Sequence, residues 1–360
     1  MAVSAGVRKY MRLAIAPTTR RTYAPPIASY KAFCARGERC PSAAAMSPES
    51  AADWLAELGE EGRLRCTTLD VYRSALSTRW EEELIEGGRN PMQSAVVQRT
   101  LAGIQRDHRG ADAAARAAAP KTLVLTPSLL GELKPYALVG PGALPLSLML
   151  WAAANVGVYG LLRPNEFLSV YRKRGAAVTA AQVTFYVAEG SDRVRDLFPV
   201  GAPLPAANEP DRFTLALGPT KADQRGENPP LVIAARPAVT ALWRWMHERR
   251  DGGGRPEGPV FQMPGQHHLS CKALCSYVAA WTQSLHGGPL PLVTGRTFRQ
   301  GGASGLHGSG ASHADTQERG RWRSARMVYV YSSARSKTER AAITSRAMVP
   351  APYAAGLSSR

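Results

Sequence analysis

The stretch that decides the fold is Arg296-Thr-Phe-Arg299-Gln-Gly-Gly302, followed by Gly320-Arg-Trp322 and, nine residues after the tryptophan, by Tyr331. Two more segments stand upstream of it, Gly160-Leu-Leu-Arg163-Pro-Asn-Glu166 and Thr220-Lys221-Ala-Asp223-Gln. Together they contain guanidinium groups, an ammonium group, an indole N–H and a phenol. Such groups can bind a phosphodiester and attack its phosphorus without a metal ion.

The two arginines Arg163 and Arg299 are the first candidates for binding the phosphate. Planar guanidinium forks match two non-bridging phosphate oxygens, on which negative charge builds up during attack. Arg163 directly follows an apolar run and precedes a proline, so we expect a rigid buried helix to hold it. Glu166, three residues later, can fix its guanidinium by an ion pair.

The leaving oxygen needs a proton and the phosphorus needs a nucleophile. Lys221 lies in a turn-rich segment between two strand patterns, near the tip of a predicted β-hairpin, from which it can act as a general acid. Tyr331 is the predicted nucleophile and Tyr329 is its rival. At helical pitch these two side chains point about 200° apart, so they cannot both face one phosphate.

In order and spacing, these motifs resemble the tyrosine recombinase (phage integrase) family, and look closest to recombinases of eukaryotic mobile elements. The resemblance implies that Tyr331 attacks a DNA phosphate and forms a 3′-phosphotyrosine, with neither ATP nor a metal cofactor. It also implies double-stranded DNA as partner and four protomers on two paired sites. The implied catalytic residues are Arg163, Lys221, Arg296, Arg299, Trp322 and Tyr331, with Glu166 in support.

Arg296 departs from the family pattern, because most members carry histidine at that position. Arginine cannot take the phenol proton at neutral pH, so water, the phosphate or another residue accepts it, or Arg296 lowers the phenol pKa by its charge. His307 is a conceivable substitute base. The remaining alternative is a decayed copy that binds DNA without cleaving it.

The resemblance predicts a mainly α fold with a small antiparallel β-sheet, in two domains. Residues 1–110 resemble a helical core-binding domain, 111–124 suit a linker that can itself be helical, 125–335 form the mixed α/β catalytic domain, and 336–360 are a tail. One helix opens near Arg20-Arg21-Thr22-Tyr23, with Pro25 and Pro26 expected near its first turn. The candidate phosphate-contacting residues of this domain are Arg20, Arg21, Lys31, Arg73, Arg99 and Arg106.

The composition agrees with a polyanionic partner. The chain of 360 residues has 45 Lys+Arg against 28 Asp+Glu, a formal net charge of +17. That charge also permits RNA binding, which the ordered motifs do not favour. Five cysteines, an odd number spread over a long chain, predict reduced thiols and an intracellular location. The resemblance adds association with DNA, in the nucleus if the source is eukaryotic.

Two further segments have competing interpretations. The uncharged run 144–162 is nearly long enough to span a bilayer, but its proline, asparagine and glycines favour a buried core helix, so we expect no membrane partner. His267, His268, Cys271 and Cys275 resemble a zinc ligand set. The same cysteines fit the apolar face of a helix over 269–285, and we predict no metal site there.

Overall fold

The computed structural model describes residues 4–42, 45–83, 89–118, 122–138, 145–168, 177–189, 193–194, 210–218, 229–262 and 268–332. Lys221, His267 and the tail 336–360 lie outside these ranges. For Tyr331 only the backbone is described. The chain divides into two units, Met1–Ala119 and Pro120–Arg360.

The N-terminal unit is a helical bundle around Trp54. Its indole is fully buried and donates a hydrogen bond to the Ser29 hydroxyl (3.3 Å), while Tyr30 packs edge-on against it and Tyr72 stacks on it. Burial raises the pKa of Tyr30 to about 12. The helices of this unit are α1 (Ala5–Ala14), α2 (Pro17–Arg36), α3 (Pro48–Glu60), α4 (Cys66–Glu82), α5 (Ala95–Asp107) and α6 (Arg109–Ala118).

The structure differs from the sequence-based expectation in α2. This helix begins at Pro17, whose fixed φ suits the first helical position, so Pro25 and Pro26 lie in its interior and not near its first turn. The interior prolines remove two backbone donors from the helical ladder.

The alanine-rich segment that begins at Arg109 forms α6, as the high helix propensity of alanine favours. The compact unit accordingly extends to Ala119, beyond the predicted boundary at residue 110. The role of 111–124 as a linker stays a prediction.

The C-terminal unit combines helices with a small antiparallel sheet, and this agrees with the predicted fold class. Its helices are α7 (Pro127–Ala137), α8 (Pro145–Tyr159), α9 (Pro164–Phe167), α10 (Arg236–Asp251), α11 (Cys271–His286), α12 (Gly295–Gly308), α13 (His313–Arg319) and α14 (Arg326–Ser332). Its strands are β1 (Val183–Tyr186), β2 (Ala188–Glu189), β3 (Arg193–Val194), β4 (Arg212–Leu215) and β5 (Leu231–Ile233).

In this unit the sheet order is β1-β4-β5, with β2 and β3 paired separately. All of these pairings are antiparallel. Alternate residues such as Phe185 and Phe213 point into the core, where Phe185 meets Trp243 of α10 edge-on. Strands β4 and β5 are antiparallel neighbours. The predicted position of Lys221 near the tip of a hairpin between them lies outside the described residues.

Helix α8 is the centre of this unit and confirms the prediction of a buried core helix. Every residue from Met149 to Val158 is buried, and α8 packs against α7, α10, α11 and α12. Among the residues that the structure describes, no helix is long and apolar enough to cross a membrane.

Two glycines allow α12 to approach its neighbours closely. A Cβ at Gly301 would overlap the carbonyl group of Leu125, and a Cβ at Gly302 would overlap the carbonyl oxygen of Val158 at the end of α8. Only residues without a side chain permit this backbone contact. The Gly-Gly pair therefore fixes where Arg299, one turn earlier in α12, lies relative to the residues that follow α8.

Candidate active site

A single carboxylate, that of Glu166, binds three arginines. It accepts hydrogen bonds from the Arg163 guanidinium (3.0 Å) and backbone N–H (3.0 Å), from Arg299 (3.1 Å) and from Arg321 (3.2 Å). The ion pair of Arg163 with Glu166 confirms one sequence-based expectation. Three guanidinium groups around one carboxylate leave two positive charges uncompensated within the cluster, an arrangement suited to an anion.

Arg299 is the most deeply buried member of this Glu166 cluster. The residue is 1 % exposed, and its guanidinium donates to the Gly320 carbonyl oxygen and lies 5.2 Å from the centre of the Trp322 ring. Trp322, itself buried, thus packs on the guanidinium of Arg299, which the sequence analysis assigned to phosphate binding. The Glu166 carboxylate joins the buried Arg299 to Arg163, whose side chain is 36% exposed.

Arg321 belongs to the Gly320-Arg-Trp322 motif, but the sequence analysis assigned no role to it. Its backbone has φ +52°, a left-handed conformation that costs a non-glycine residue about 1–3 kcal/mol. Burial lowers the pKa of Arg321, and the neighbouring Glu166 opposes that shift. The Arg321 side chain contacts Glu166, which is 155 positions away in sequence. A contact between such distant residues cannot be predicted from the sequence around Arg321.

A cleft of about 450 Å³ adjoins the cluster. Arg163 and Arg296 both line it, and Arg296 is exposed. The N-terminal residues of α11 and α12 meet there, and the partial positive charge of helix N-termini favours anions. The full lining is Thr122, Arg163, Pro164, Asn165, Cys271, Thr294, Gly295 and Arg296.

Cys271 is the unexpected member of this lining. The sequence analysis placed it on the apolar face of a helix, and Leu274 and Val278 of that helix are indeed buried. Cys271, however, is the first residue of α11 and only partly buried. A hydrogen bond from Cys275, whose Sγ is 4.0 Å away, lowers the pKa of Cys271 to about 7 despite its partial burial.

Helix α14 carries Tyr331 and packs against α12. Val328 of α14 is fully buried in a small cluster with Trp322, Leu161 and Ala303. Tyr329 is 58 % exposed and packs on the His313 ring, which stacks in turn on His307. His307 is thus grouped with the rival tyrosine, and among the described residues it does not line the cleft.

The predicted DNA-contacting residues of the N-terminal unit are mostly accessible. Arg21 and Lys31 of α2 are exposed, as are Arg99 and Arg106 of α5. Two further candidates are less accessible. Arg20 forms an ion pair with Glu82 (2.6 Å), and Arg73 of α4 is partly buried.

The described part of the chain contains no cluster of metal-ligating side chains. Within those residues, no group of three or more His, Cys, Asp or Glu side chains could hold a metal ion. Cys271 and Cys275 are both reduced, and His267 of the considered zinc set lies outside the described ranges.

Comparison with known proteins identifies the fold. No protein-family model matches this sequence, and no curated protein matches it either. The structure is similar to the XerH site-specific recombinase bound to a palindromic difH substrate in a post-cleavage complex, with a TM-score of 0.57, 15% identity, and 90% of this chain and 78% of that chain covered.

A second similar structure is the Tn1549 transposon integrase in complex with transposon right end DNA. The TM-score is 0.56 at 12% identity, and the match covers 94% of this chain and 97% of that chain. This chain therefore has the tyrosine recombinase fold, which confirms at the level of the fold the resemblance drawn from the motifs.

Proposed function

We propose that this protein is a site-specific DNA recombinase that cleaves and rejoins DNA strands through a 3′-phosphotyrosine intermediate. The observation that carries the proposal is the Glu166 cluster, with its two uncompensated positive charges, next to a cleft lined by Arg163 and Arg296. A phosphodiester is an anion of matching size and geometry for such guanidinium groups.

In the proposed reaction, Arg163 and Arg296 bind the non-bridging oxygens at the cleft. Arg299 and Arg321, held by Glu166, add positive potential from within, where the lower dielectric strengthens it. Charge fixed in advance of the reaction stabilises the pentacoordinate transition state without reorganisation. Guanidinium groups thereby replace a metal clamp, so cleavage should persist in excess EDTA and without ATP.

Three residues complete the proposed chemistry. Tyr331 is the nucleophile, Lys221 protonates the leaving 5′-oxygen as a general acid, and Trp322 supports Arg299 and donates its indole N–H to a phosphate oxygen. The freed 5′-hydroxyl then attacks the phosphotyrosine of the partner duplex. Bond energy is conserved in that intermediate, and no external energy source is needed.

The proposed partner is double-stranded DNA, and the similar structures named above were both determined with DNA. The proposed contacts to the DNA backbone are the exposed cations Arg21, Lys31, Arg99 and Arg106. Arg20 would join them by leaving its ion pair with Glu82, and Arg73 by leaving its partly buried position. Strand exchange between two duplexes, each cleaved on both strands, calls for a homotetramer. Such a protein acts inside the cell on DNA, in the nucleus if the host is eukaryotic.

The test is a nicked suicide substrate, which traps the covalent intermediate because the short cleaved strand diffuses away. We expect wild type and Tyr329→Phe to form a protein–DNA adduct, whereas Tyr331→Phe binds the same DNA and forms none. An adduct that survives in Tyr331→Phe and disappears in Tyr329→Phe would show that the nucleophile is misassigned.

A second candidate function is a catalytically decayed recombinase that serves as a DNA-binding module. The observation that favours it is Arg296, which cannot accept a proton where most of the family carries histidine. Absence of any adduct with wild-type protein, together with its appearance in Arg296→His, would establish this alternative.

A further inference from the structure

Another concave site lies on the C-terminal unit, between helices α7, α8 and α10. Its volume is about 350 Å³, within the range of pockets that bind small ligands, about 300–1,000 Å³. It shares no lining residue with the cleft of Arg163 and Arg296. We call this site the α8 groove and define it by Leu130, Lys134, Trp151, Asn155, Tyr159 and Arg244.

We propose that the α8 groove binds a small aromatic carboxylate whose ring carries an N–H group. The site is independent of the proposed cleavage reaction, so binding can be measured without DNA and without any cleavage activity. The features that point to this ligand are an apolar floor, a positively charged rim and a buried acceptor that lacks a donor.

The floor of the α8 groove is apolar and aromatic. Leu130 of α7 and Trp151 of α8 are buried, and Tyr159 is partly buried. Trp151, Asn155 and Tyr159 follow one another at intervals of four residues, so they lie along one face of α8. An apolar lining favours an apolar ligand body, and aromatic rings pack well on Trp and Tyr side chains. The floor therefore indicates a ring as the buried part of the ligand.

The rim of the α8 groove carries positive charge. Lys134 of α7 and Arg244 of α10 are exposed and line the groove from two different helices. Within the described structure neither of them forms an ion pair, and no acidic residue lines the groove. Burial raises the pKa of Tyr159, so its phenol stays neutral and can donate a hydrogen bond to an anion. A carboxylate at the rim would complement these groups.

Asn155 is the acceptor without a donor. The residue is fully buried, and its amide nitrogen donates to the backbone carbonyl oxygen of Trp151 (2.9 Å). Its Oδ1 receives no hydrogen bond from the described residues. A buried acceptor without a donor is unfavourable and uncommon in folded proteins. A ligand N–H at the floor of the groove would supply the missing donor, which gives this amide a role among apolar side chains.

The test is isothermal titration calorimetry of the full chain with indole-3-acetate, a probe that combines a ring, an N–H and a carboxylate. It should show saturable binding of one molecule. Two matched probes each lack one group, the N–H in 1-methylindole-3-acetate and the carboxylate in 3-methylindole. Each should bind about tenfold or more weakly than indole-3-acetate, because one hydrogen bond or the charge-assisted contact at the rim is lost.

Substitutions in the groove assign each contact. Lys134→Gln and Arg244→Gln should each weaken indole-3-acetate about tenfold and leave 3-methylindole unchanged, because only a charge is removed. Asn155→Leu should bind indole-3-acetate and 1-methylindole-3-acetate equally, and should melt no lower than wild type, because leucine removes the unpaired acceptor. The matched control is Lys272→Gln. This exposed lysine of α11 lies outside the groove, and its loss should change none of these affinities.

Several results would overturn the proposal. Indole-3-acetate that shows no saturable binding up to about 1 mM would do so, as would binding that Lys134→Gln and Arg244→Gln leave unchanged, because the probe would then lie elsewhere. Equal affinity of wild type for indole-3-acetate and its N-methyl analogue would refute the role of Asn155. Duplex DNA that leaves the affinity for indole-3-acetate unchanged supports a separate site, whereas competition between the two would assign the rim to the DNA backbone.

Discussion

Replacement of Glu166 by glutamine tests whether the Glu166 cluster organises the site. The carboxylate is 10% exposed on its side chain and compensates Arg163, Arg299 and Arg321. Glutamine keeps the shape but removes the charge and turns one acceptor into a donor that faces guanidinium donors. Breaking a buried ion pair from one side costs about 3–5 kcal/mol, because the remaining charge is left uncompensated.

For a unit of the size of Pro120–Arg360, each kcal/mol lowers the melting temperature by about 2–4 °C. Glu166→Gln should therefore melt roughly 10 °C below wild type in calorimetry. The matched control is Asp251→Asn in the same unit. It breaks an exposed pair with Arg250 and should cost no more than about 1 kcal/mol.

The substituted cluster carries three positive charges without its carboxylate, so anions should bind it better. Sulfate should consequently recover more stability in Glu166→Gln than in wild type. Glu166→Gln that melts like Asp251→Asn, with the same response to sulfate, would refute the claim that Glu166 holds the three arginines against their mutual repulsion.

Three further predictions concern packing, strain and DNA binding. Gly302→Ala should lower the free energy of unfolding in urea by about 1–3 kcal/mol, because the added Cβ would overlap the carbonyl oxygen of Val158. In the control Gly308→Ala, in the same helix, the added Cβ meets no atom, and the stability should stay the same or rise slightly. Arg321→Gly should lower the cleavage rate about 100-fold yet change the unfolding free energy by less than about 1 kcal/mol, because relief of the left-handed backbone offsets one lost ion pair; a large loss of stability with normal cleavage would contradict it. Duplex affinity should fall by about 1000-fold or more between 50 and 200 mM salt, as counterion release predicts for a chain of net charge +17, and a flat titration would exclude extensive backbone contacts.

Local sequence was sufficient for much of the fold. The uncharged run before Arg163 predicts a buried helix because no face of it is polar, and α8 is buried accordingly. Alternating residues predict the strands that form the sheet. The ion pair between Arg163 and Glu166 was also predictable, because its members are three positions apart and a single helical turn brings them together.

The site was predictable only in part, because its other contacts join distant segments. Arg299 reaches Glu166 across 133 positions. Arg321 reaches it across 155, and it does so through a left-handed residue that sequence patterns do not reveal. The start of α2 was misjudged for a local reason. Proline is favourable at the first helical position, and both Pro17 and the later pair Pro25-Pro26 could fill it. The helix begins at Pro17 and tolerates Pro25 and Pro26 in its interior.

The sequence by itself determined which chemical groups this protein has, in which order, and that they belong to a helical protein with a small sheet. Helical and strand periodicity and charge are properties of neighbouring residues, and they can be read without a structure. Only the tertiary structure decided that Arg299 lies buried under Trp322, that three arginines share Glu166, and that Cys271 opens into the cleft. Those facts depend on how closely α12 packs against Leu125 and against the end of α8, which the absence of side chains at Gly301 and Gly302 permits.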